Sequence, residues 1–286
     1  MDEELLNNPQ VNQLIELALA EDSASDDVTS CALISPQQQG RASIVSKEGG
    51  VLAGSNIAAL VFGKIEPSLE ITFCRNDGER VDEGDKILSI SGNTTAILKA
   101  ERVALNFLSR LSGIATETAK YVTEVSGTEA VILDTRKTIP GMRLLEKYAV
   151  RMGGGQNHRM HLGNGILIKD NHIAALKQQS ISINDIIARA IHNAHAGTQI
   201  EIEVNTVTQA LEAADAGADT VMLDNMPLED MRQAAEQVAG RARLEASGGI
   251  SLDNVRAVAM TGVDYISVGA ITHSAKSIDF SLDLEV

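Results

Sequence analysis

The sequence predicts an α/β barrel preceded by a smaller α+β domain, and three observations support this fold class. The chain has 286 residues, of which 44% are hydrophobic, which is enough for about two domains or for a barrel with an appendage. From residue 130 onward, short runs rich in Val, Ile and Leu alternate with amphipathic segments. The starts of the later runs recur about every 20 residues, as successive right-handed βα units require. The six runs are AVILDTRK, GILIKDN, TQIEIEVN, ADTVMLDN, RARLEASGG and VDYISVGA.

The segment before residue 130 mixes helices and strands. Apolar periodicity predicts a helix over Pro9–Glu21 and another over Ser55–Ile65. Between them, alternating residues that break at Gly49 and Gly50 indicate strands around a turn. Residues 79–97 look like short strands joined by turns, and a long helix is predicted from Leu98 to about Val125. This part of the chain is therefore predicted to be an α+β domain.

Helix start signals separate the later strands. Ser182 with Asp185 and Thr206 with Gln209 have the spacing of capping boxes. Pro227 suits a first helical position, and Ser251 precedes a further helical segment. The short period, with a glycine before each of the later strands, favours a barrel, and an open doubly wound sheet is the alternative.

The overall charge excludes several classes of function. A net charge of −15 and only 2% aromatic residues argue against nucleic-acid binding, which needs a positive surface and stacking platforms. The chain shows no long apolar run, and its first residues are acidic and polar, so we expect a cytoplasmic protein with no membrane segment. Residues 134–172 nevertheless carry seven basic and three acidic side chains, a net of +4, so the rest of the chain carries −19. Such a basic island in an acidic protein indicates an anion pocket.

Polar and charged residues follow each of the six predicted strands. In a parallel barrel these positions converge on one face, where the βα loops build the active site. They are Asp134–Lys137, Lys169–Asn171, Glu203, Asp224–Asn225, Ser247–Gly249 and Gly269.

The residue types at these strand ends favour an enzyme for anionic substrates. Arginine and lysine bind carboxylates and phosphates. Glu203 and Asp224 would repel phosphate unless Mg²⁺ lies between them, and sugar hydroxyls are their alternative partners. The backbone amides of Ser247–Gly249 and Gly269 suit a monophosphate. The pattern thus predicts an enzyme for a phosphorylated sugar and a carboxylated co-substrate, and no nucleophile motif competes with it.

Long motifs identify the chain as resembling the quinolinate phosphoribosyltransferase family. They are LDTRKTIPGMRLLEKYAVRMGGGQNHRMHLGNGILIKDNHI, EIEVNTVTQALEAADAGADTVMLDN and LEASGGISLDNV, together with ALAED, DVTS, EGGVLAG and AERVALNFLSRLSGIAT in the first part. The resemblance covers nearly the whole chain.

The resemblance implies an architecture and a reaction. It implies an α/β sandwich domain over residues 1–112, an open, TIM-like α/β barrel over 113–270, and a segment 271–286 that returns to the first domain. It implies a homodimer and leaves open a hexamer of dimers. The reaction that it implies joins quinolinate and 5-phosphoribosyl 1-diphosphate, with Mg²⁺, to give nicotinate mononucleotide, diphosphate and CO₂ in NAD biosynthesis.

The resemblance also implies roles for individual residues. Glu203 and Asp224 match a pair at the ribose hydroxyls and the metal-bound diphosphate, which hold Mg²⁺ directly or through diphosphate and water. Lys137, Glu203 and Asp224 are the candidate catalytic residues. Arg102 matches an arginine that reaches the site of the neighbouring subunit. The quinolinate pocket is matched by Thr135, Arg136, Lys137, His158, Arg159 and Lys169, and the phosphate end by Ser247, Gly248, Gly249, Gly269 and His273.

Two departures and two alternatives stay open at this point. His161 stands where the resemblance leads us to expect a small residue, and Ile139 and Met142 vary the segment around Pro140. A relative of the same fold that acts on nicotinate or in molybdenum metabolism would share much of the pattern. A catalytically silent sensor of phosphoribosyl diphosphate is the alternative outside enzymes.

Overall fold

The computed structural model describes residues 3–177 and 181–285. The helices are Glu3–Leu6 (α1), Pro9–Glu21 (α2), Val28–Leu33 (α3), Ser55–Ile65 (α4), Thr94–Glu124 (α5), Arg143–Met152 (α6), Asp170–Lys177 (α7), Ile183–Asn193 (α8), Val207–Asp215 (α9), Leu228–Val238 (α10), Val255–Ala259 (α11) and Ala270–His273 (α12), with a 3₁₀ turn at Ala24–Asp26. The strands are Gln39–Ser46 (β1), Gly50–Val51 (β2), Glu70–Phe73 (β3), Arg80–Val81 (β4), Lys86–Asn93 (β5), Val131–Leu133 (β6), Ile166–Ile168 (β7), Ile200–Val204 (β8), Thr220–Asp224 (β9), Arg243–Ser247 (β10), Tyr265–Ser267 (β11) and Phe280–Glu285 (β12).

The chain forms two compact units. The first contains the residues up to Ala119, Thr138–Gly154 and the residues from Ile271 onward, and the second contains Lys120–Lys137 and Gly155–Ala270. The boundaries expected from the sequence, at residues 112 and 270, stay a prediction. None of the helices in the described ranges is long and apolar enough to cross a membrane.

The first unit is built on an antiparallel sheet. Over the described residues its strand order is β12-β1-β5-β3, so the last strand of the chain pairs with the first one. Ile44 of β1 and Leu88 of β5 face each other across the ladder and are fully buried. The helices predicted over Pro9–Glu21 and Ser55–Ile65 are confirmed with the same bounds. This unit is the expected N-terminal α+β domain.

Helix α5 begins four residues earlier than the sequence analysis expected. The prediction placed its start at Leu98, because residues 79–97 were assigned to short strands joined by turns, whereas the helix begins at Thr94. In the structure the Asn93 side chain accepts a hydrogen bond from the Ala96 N–H at 3.0 Å. This cap satisfies a backbone donor that would otherwise have no partner in the first turn.

The second unit is an open α/β barrel, as predicted. In the described part of the chain its sheet is parallel with the order β6-β11-β10-β9-β8-β7. Strand β6, the first of the six along the chain, pairs with β11, the last of them. From β7 to β11 each strand pairs with the next one along the chain, which is the strand order of a barrel. A doubly wound sheet would instead reverse its order at a switch point. Strands β6 and β7 are the two edges, so the barrel is not closed between them.

The predicted start signals of the barrel helices hold in part. At α8 the Ser182 side chain caps the Asp185 N–H, and the Asp185 side chain reaches back, which completes a capping box. At α9 the Thr206 hydroxyl accepts from the Gln209 N–H. The helical segment expected after Ser251 begins at Val255, and the Asn254 side chain before it accepts a hydrogen bond from the Ser251 N–H. These short helices fix where each following strand begins.

Candidate active site

A cavity of about 780 Å³ opens at the carboxyl ends of the barrel strands. This volume suits a ligand of substrate size. Every residue that lines it belongs to the second unit. The charged and titratable side chains that line it are Arg136, Lys137, His158, Arg159, Lys169, His172, Glu203 and Asp224.

The basic side of the cavity holds two guanidinium groups close together. Burial lowers the pKa of Arg159, and the positive charge of Arg136 lowers it further, whereas the Glu201 carboxylate acts in the opposite direction. Two like charges in a partly buried site repel each other when no anion is bound. This side of the cavity is therefore suited to bind a ligand with more than one negative charge.

The acidic side of the cavity stands at the ends of two neighbouring strands. Glu203 is in β8 and Asp224 ends β9. Glu203 accepts a hydrogen bond from the Lys169 ammonium at 3.0 Å, and Asp224 accepts one from the Asn225 side chain at 2.8 Å. The Lys169–Glu203 ion pair thus joins the basic side of the cavity to the acidic side.

The loop after β10 presents backbone at the cavity wall. Gly248 and Gly249 have φ angles of +90° and +61°, a region that few other residues adopt without strain. A side chain at position 248 would overlap the side-chain amide of Asn225. Asn225 itself has a φ of +52°, and its N–H donates to the Ser247 carbonyl at 2.8 Å. Glycine at 248 therefore allows the two loops to approach each other closely.

The segment that carries His158 and Arg159 is anchored by a buried acid. Asp134, which follows β6, is fully buried. Its carboxylate accepts hydrogen bonds from the His158 N–H at 2.8 Å and from the Asn157 side chain at 2.7 Å. A buried carboxylate that accepts several N–H bonds offsets the cost of its burial. Asp134 thus fixes the backbone next to Arg159.

Most of the residues predicted for the site line this one cavity. They are Thr135, Arg136, Lys137, His158, Arg159, Lys169, Glu203, Asp224, Ser247, Gly248 and Gly249. Gly269 follows β11 in the second unit but is not among the described residues that line the cavity.

Two of the predicted residues and the unusual histidine lie elsewhere. Arg102 is on α5 and His273 is on α12, both in the first unit. The Arg102 side chain is 62% exposed and lies 3.9 Å from the Glu101 carboxylate. His161 is exposed, and its ring accepts a hydrogen bond from the Gly163 N–H at 3.1 Å.

Sequence reasoning missed several residues at or below the cavity. His172 lines it, and the His172 ring accepts a hydrogen bond from the Lys169 N–H at 2.9 Å. Asn225, by contrast, was among the strand-end residues of the sequence analysis, and it also lines the cavity. Glu201 lies two residues before Glu203 on the same face of β8. Glu245 is an acid in the middle of the apolar strand β10, a pattern visible in the sequence.

Glu245 is a buried carboxyl group beside this site with a strongly shifted pKa. It is 1% exposed, and its Oε1 accepts a hydrogen bond from the Ser267 hydroxyl at 2.5 Å. Burial raises the pKa of Glu245 to about 7, and the neighbouring Glu201 carboxylate raises it as well. His158, Ser267 and Lys169 act in the opposite direction. Strongly shifted groups beside a cleft are typical of functional sites.

The acids at the cavity suit a hard cation only together with a ligand. Mg²⁺ prefers oxygen donors and is commonly held by one or two carboxylates plus substrate phosphates. Glu203 and Asp224 supply two carboxylates at one cavity. Among the described residues, the set of three side chains with atoms close enough to share an ion is His158, Glu201 and Glu245, within 4.8 Å. The Glu203 and Asp224 pair therefore fits Mg²⁺ if ligand oxygens complete the shell.

Two family models match the chain. The model described as "Quinolinate phosphoribosyl transferase, C-terminal domain" matches residues 114–283, and the model described as "Quinolinate phosphoribosyl transferase, N-terminal domain" matches residues 27–112. Together they cover most of both compact units, leaving out residues 1–26, 113 and 284–286, and they include every residue that lines the cavity.

Individual relatives match along almost the whole chain. A protein of Bacillus subtilis (strain 168), named probable nicotinate-nucleotide pyrophosphorylase (carboxylating), is 42% identical over 279 residues, which are 98% of this chain and 95% of the relative. A crystal structure of NadC from Streptococcus pyogenes is 43% identical with a TM-score of 0.92, and the match covers 96% of each chain. The structure of the nicotinate-nucleotide pyrophosphorylase from Francisella tularensis is 39% identical with a TM-score of 0.91, and covers 98% of this chain and 99% of that one. This chain therefore belongs to the quinolinate phosphoribosyl transferase family.

Proposed function

We propose that this chain transfers the phosphoribosyl group of 5-phosphoribosyl 1-diphosphate to quinolinate, with decarboxylation, in NAD biosynthesis. The products are nicotinate mononucleotide, diphosphate and CO₂. The observation that carries the proposal is the composition of the cavity, which combines four cationic side chains with two carboxylates at the ends of parallel strands. Membership of the family supports the same reaction.

The basic side of the cavity is proposed to bind quinolinate. Quinolinate is a pyridine with two adjacent carboxylates, and the neighbouring guanidinium groups of Arg136 and Arg159 match two negative charges. A bound dianion offsets the repulsion between these two guanidinium groups, so relief of that repulsion contributes part of the binding free energy. Thr135, His158 and Lys169 complete this part of the cavity wall.

The acidic side and the glycine loop are proposed to bind the phosphorylated sugar. The carboxylates of Glu203 and Asp224 would accept hydrogen bonds from ribose hydroxyls and would hold Mg²⁺, directly or through diphosphate and water. Bound Mg²⁺ would offset the negative charge on the diphosphate. The backbone at Ser247, Gly248 and Gly249 approaches the 5-phosphate closely because the two glycines have no side chain to prevent it.

The reaction follows from this division of the cavity. The glycosidic C1–O bond to diphosphate breaks as the pyridine nitrogen forms a bond to C1, and the Lys137 ammonium offsets the charge that grows on the leaving oxygen. The nitrogen is then cationic, and its positive charge stabilises the electron pair that stays on C2 when the C2–carboxylate bond breaks and CO₂ leaves. A proton replaces the carboxylate at C2. The cations of the pocket must orient the dianion without preventing this loss.

The remaining predictions concern parts that lie outside the cavity. Gly269 and His273 are proposed to contribute to the phosphate end, and Arg102 to reach the site of a neighbouring subunit in a homodimer. The 62% exposed side chain of Arg102 is compatible with a contact to a second copy of the chain. A hexamer of dimers and a cytoplasmic location stay predictions of the same kind.

The assay that tests the proposal measures substrate use directly. Purified protein is incubated with quinolinate, 5-phosphoribosyl 1-diphosphate and Mg²⁺, and the loss of quinolinate absorbance is followed together with CO₂ release. The expected result is loss of quinolinate that depends on both other components. The chain has no tryptophan, so its own ultraviolet absorbance is low and interferes little with that of quinolinate. Turnover of nicotinate but not of quinolinate, or no turnover of either, would overturn the proposal.

A further inference from the structure

Two carboxyl groups that are not among the described lining residues of the cavity meet at one histidine that does line it. Glu201 comes from β8 and Glu245 from β10. The His158 Nε2 lies 3.1 Å from Glu201 Oε2 and 3.5 Å from Glu245 Oε2. The other Glu245 oxygen accepts a hydrogen bond from the Ser267 hydroxyl, which comes from β11. Three strands of the barrel thus contribute to the surroundings of one imidazole.

The hydrogen bonds of His158 determine which ring nitrogen carries the proton. The Arg159 backbone N–H donates to His158 Nδ1 at 2.8 Å, so Nδ1 is an acceptor and has no proton. The proton of the neutral ring is therefore on Nε2, which faces Glu201 and Glu245. Both ring nitrogens are occupied by bonds within the protein.

This tautomer argues against a metal ion at the same three side chains. A metal at His158 would need the lone pair of Nε2, and in the neutral ring that nitrogen carries the proton. Coordination would require either that the proton moves to Nδ1, with loss of the bond from the Arg159 N–H, or that the ring loses its single proton. Hydrogen bonding explains the cluster of His158, Glu201 and Glu245 without an ion.

The ring also supports the segment that carries Arg159. Gly155–Gly165 connects α6 to β7, and within the described residues it contains no helix and only an isolated bridge at Gln156. Its position near Arg159 depends on side-chain anchors. Asp134 holds the His158 N–H, and the His158 ring holds the Arg159 N–H. If the ring turned, the second of these bonds would be lost.

We propose that Glu201 and Glu245 are positioning residues that act on the anion pocket through His158. Glu201 accepts from Nε2–H, and the Glu245 carboxyl group lies 3.5 Å from the same nitrogen. Together they fix the tautomer and the orientation of the imidazole, and the imidazole fixes the backbone of Arg159. The inference deepens the proposed function, on which it rests for the identity of the anion. Neither carboxyl group is among the described residues that line the cavity.

A matched pair of double variants tests this proposal. Glu201→Gln with Glu245→Gln removes both acidic groups but keeps an acceptor oxygen at each position, and the Ser267 hydroxyl can turn to accept from the new amide. Glu201→Leu with Glu245→Leu removes the acceptors as well. Both double variants have the same charge, so a difference between them reports the hydrogen bonds alone.

The first readout is steady-state kinetics. The KM for quinolinate of the leucine pair is expected to exceed that of the glutamine pair by about tenfold, the effect of misplacing one charge-assisted hydrogen bond. The KM for 5-phosphoribosyl 1-diphosphate should be equal in the two pairs. If the leucine pair does not fold, Glu245→Leu is compared with Glu245→Gln in the same way. Equal KM values for quinolinate in folded variants would overturn the proposal.

The second readout does not depend on the reaction. The chain has six histidines, and ¹⁵N labelling of their rings, with His158→Asn to assign the signal, reports the tautomer of His158 by NMR. The Nε2–H tautomer is expected in the unmodified protein and in the glutamine pair, and a mixture of tautomers in the leucine pair. An Nδ1–H signal in the unmodified protein would overturn the proposal, even if the protein has no activity with quinolinate. Inactivity with the expected NMR signals would instead reject only the proposed function.

Discussion

Replacement of Arg159 by methionine should weaken quinolinate binding without lowering the stability of the folded protein. Arg159 lies beside Arg136 at the cavity, where burial and the neighbouring charge lower the pKa of Arg159. Methionine has a similar length and no charge. In the free protein the substitution removes a repulsion, so we expect Arg159→Met to unfold at the same temperature as the unmodified protein or at a higher one. In the complex it removes a cation that binds the dianion.

The size of the binding effect follows from the bonds that are lost. A hydrogen bond to a charged group contributes about 1.5–3 kcal/mol, and each 1.4 kcal/mol changes Kd about tenfold. Loss of one such bond therefore weakens quinolinate binding by about 10- to 150-fold. Loss of both bonds of a bidentate contact would bring the effect to the upper end of this range or beyond it.

Calorimetric titration with quinolinate and thermal unfolding measure the two effects in one protein. The matched control is Arg232→Met, because Arg232 is on α10, is 47% exposed and pairs with Glu229 at the surface. Its loss should leave quinolinate binding unchanged. The same Kd for Arg159→Met and the unmodified protein would refute the assignment of Arg159 to the anion pocket. A lower unfolding temperature would refute the repulsion between the two guanidinium groups.

Three further outcomes are expected. Glu203→Gln should lower kcat in the steady-state assay, because the neutral amide cannot replace a carboxylate at the ribose and the metal, and an unchanged kcat would exclude that role. Gly248→Ala should raise the KM for 5-phosphoribosyl 1-diphosphate, since the new Cβ overlaps Asn225. Its control is Gly63→Ala in α4, where a new Cβ would have nothing within 4 Å, and this variant should stabilise the fold by about 0.5–1 kcal/mol in urea unfolding. Burial raises the pKa of Glu245 to about 7, above its ordinary value of 4.5, so its contribution to stability is present below about pH 4.5 and is lost as the pH rises from there through about 7. Glu245→Gln should therefore show a flatter dependence of unfolding free energy on pH between about 5 and 8, and an unchanged slope would contradict this.

The sequence predicted the fold class and the main wall of the cavity because both depend on local patterns. The apolar runs alternate with helices at a nearly constant spacing, and a parallel sheet brings their carboxyl ends together. Residues at those ends, such as Glu203 and Asp224, could be assigned to one site without any coordinates. The family models agree with the resemblance carried by the long motifs.

The positioning groups could not be predicted in the same way. Glu201 and Glu245 are visible as acids in apolar strands, but their contact with His158 depends on how three strands and an irregular segment pack. The capping bond of Asn93 likewise overrode the strand preference of the two threonines that follow it. The role proposed for Arg102, a contact with the site of a second subunit, depends on an assembly rather than on the pattern of one chain.

The central claim is tested most directly by following the carboxyl group that leaves. Quinolinate labelled with ¹³C at the 2-carboxyl group is incubated with the protein, 5-phosphoribosyl 1-diphosphate and Mg²⁺, and the label is measured in CO₂ and in the nucleotide. The account predicts one labelled CO₂ for each nicotinate mononucleotide, with no label left in the nucleotide. Label retained in a nucleotide product, or CO₂ released without 5-phosphoribosyl 1-diphosphate, would contradict it.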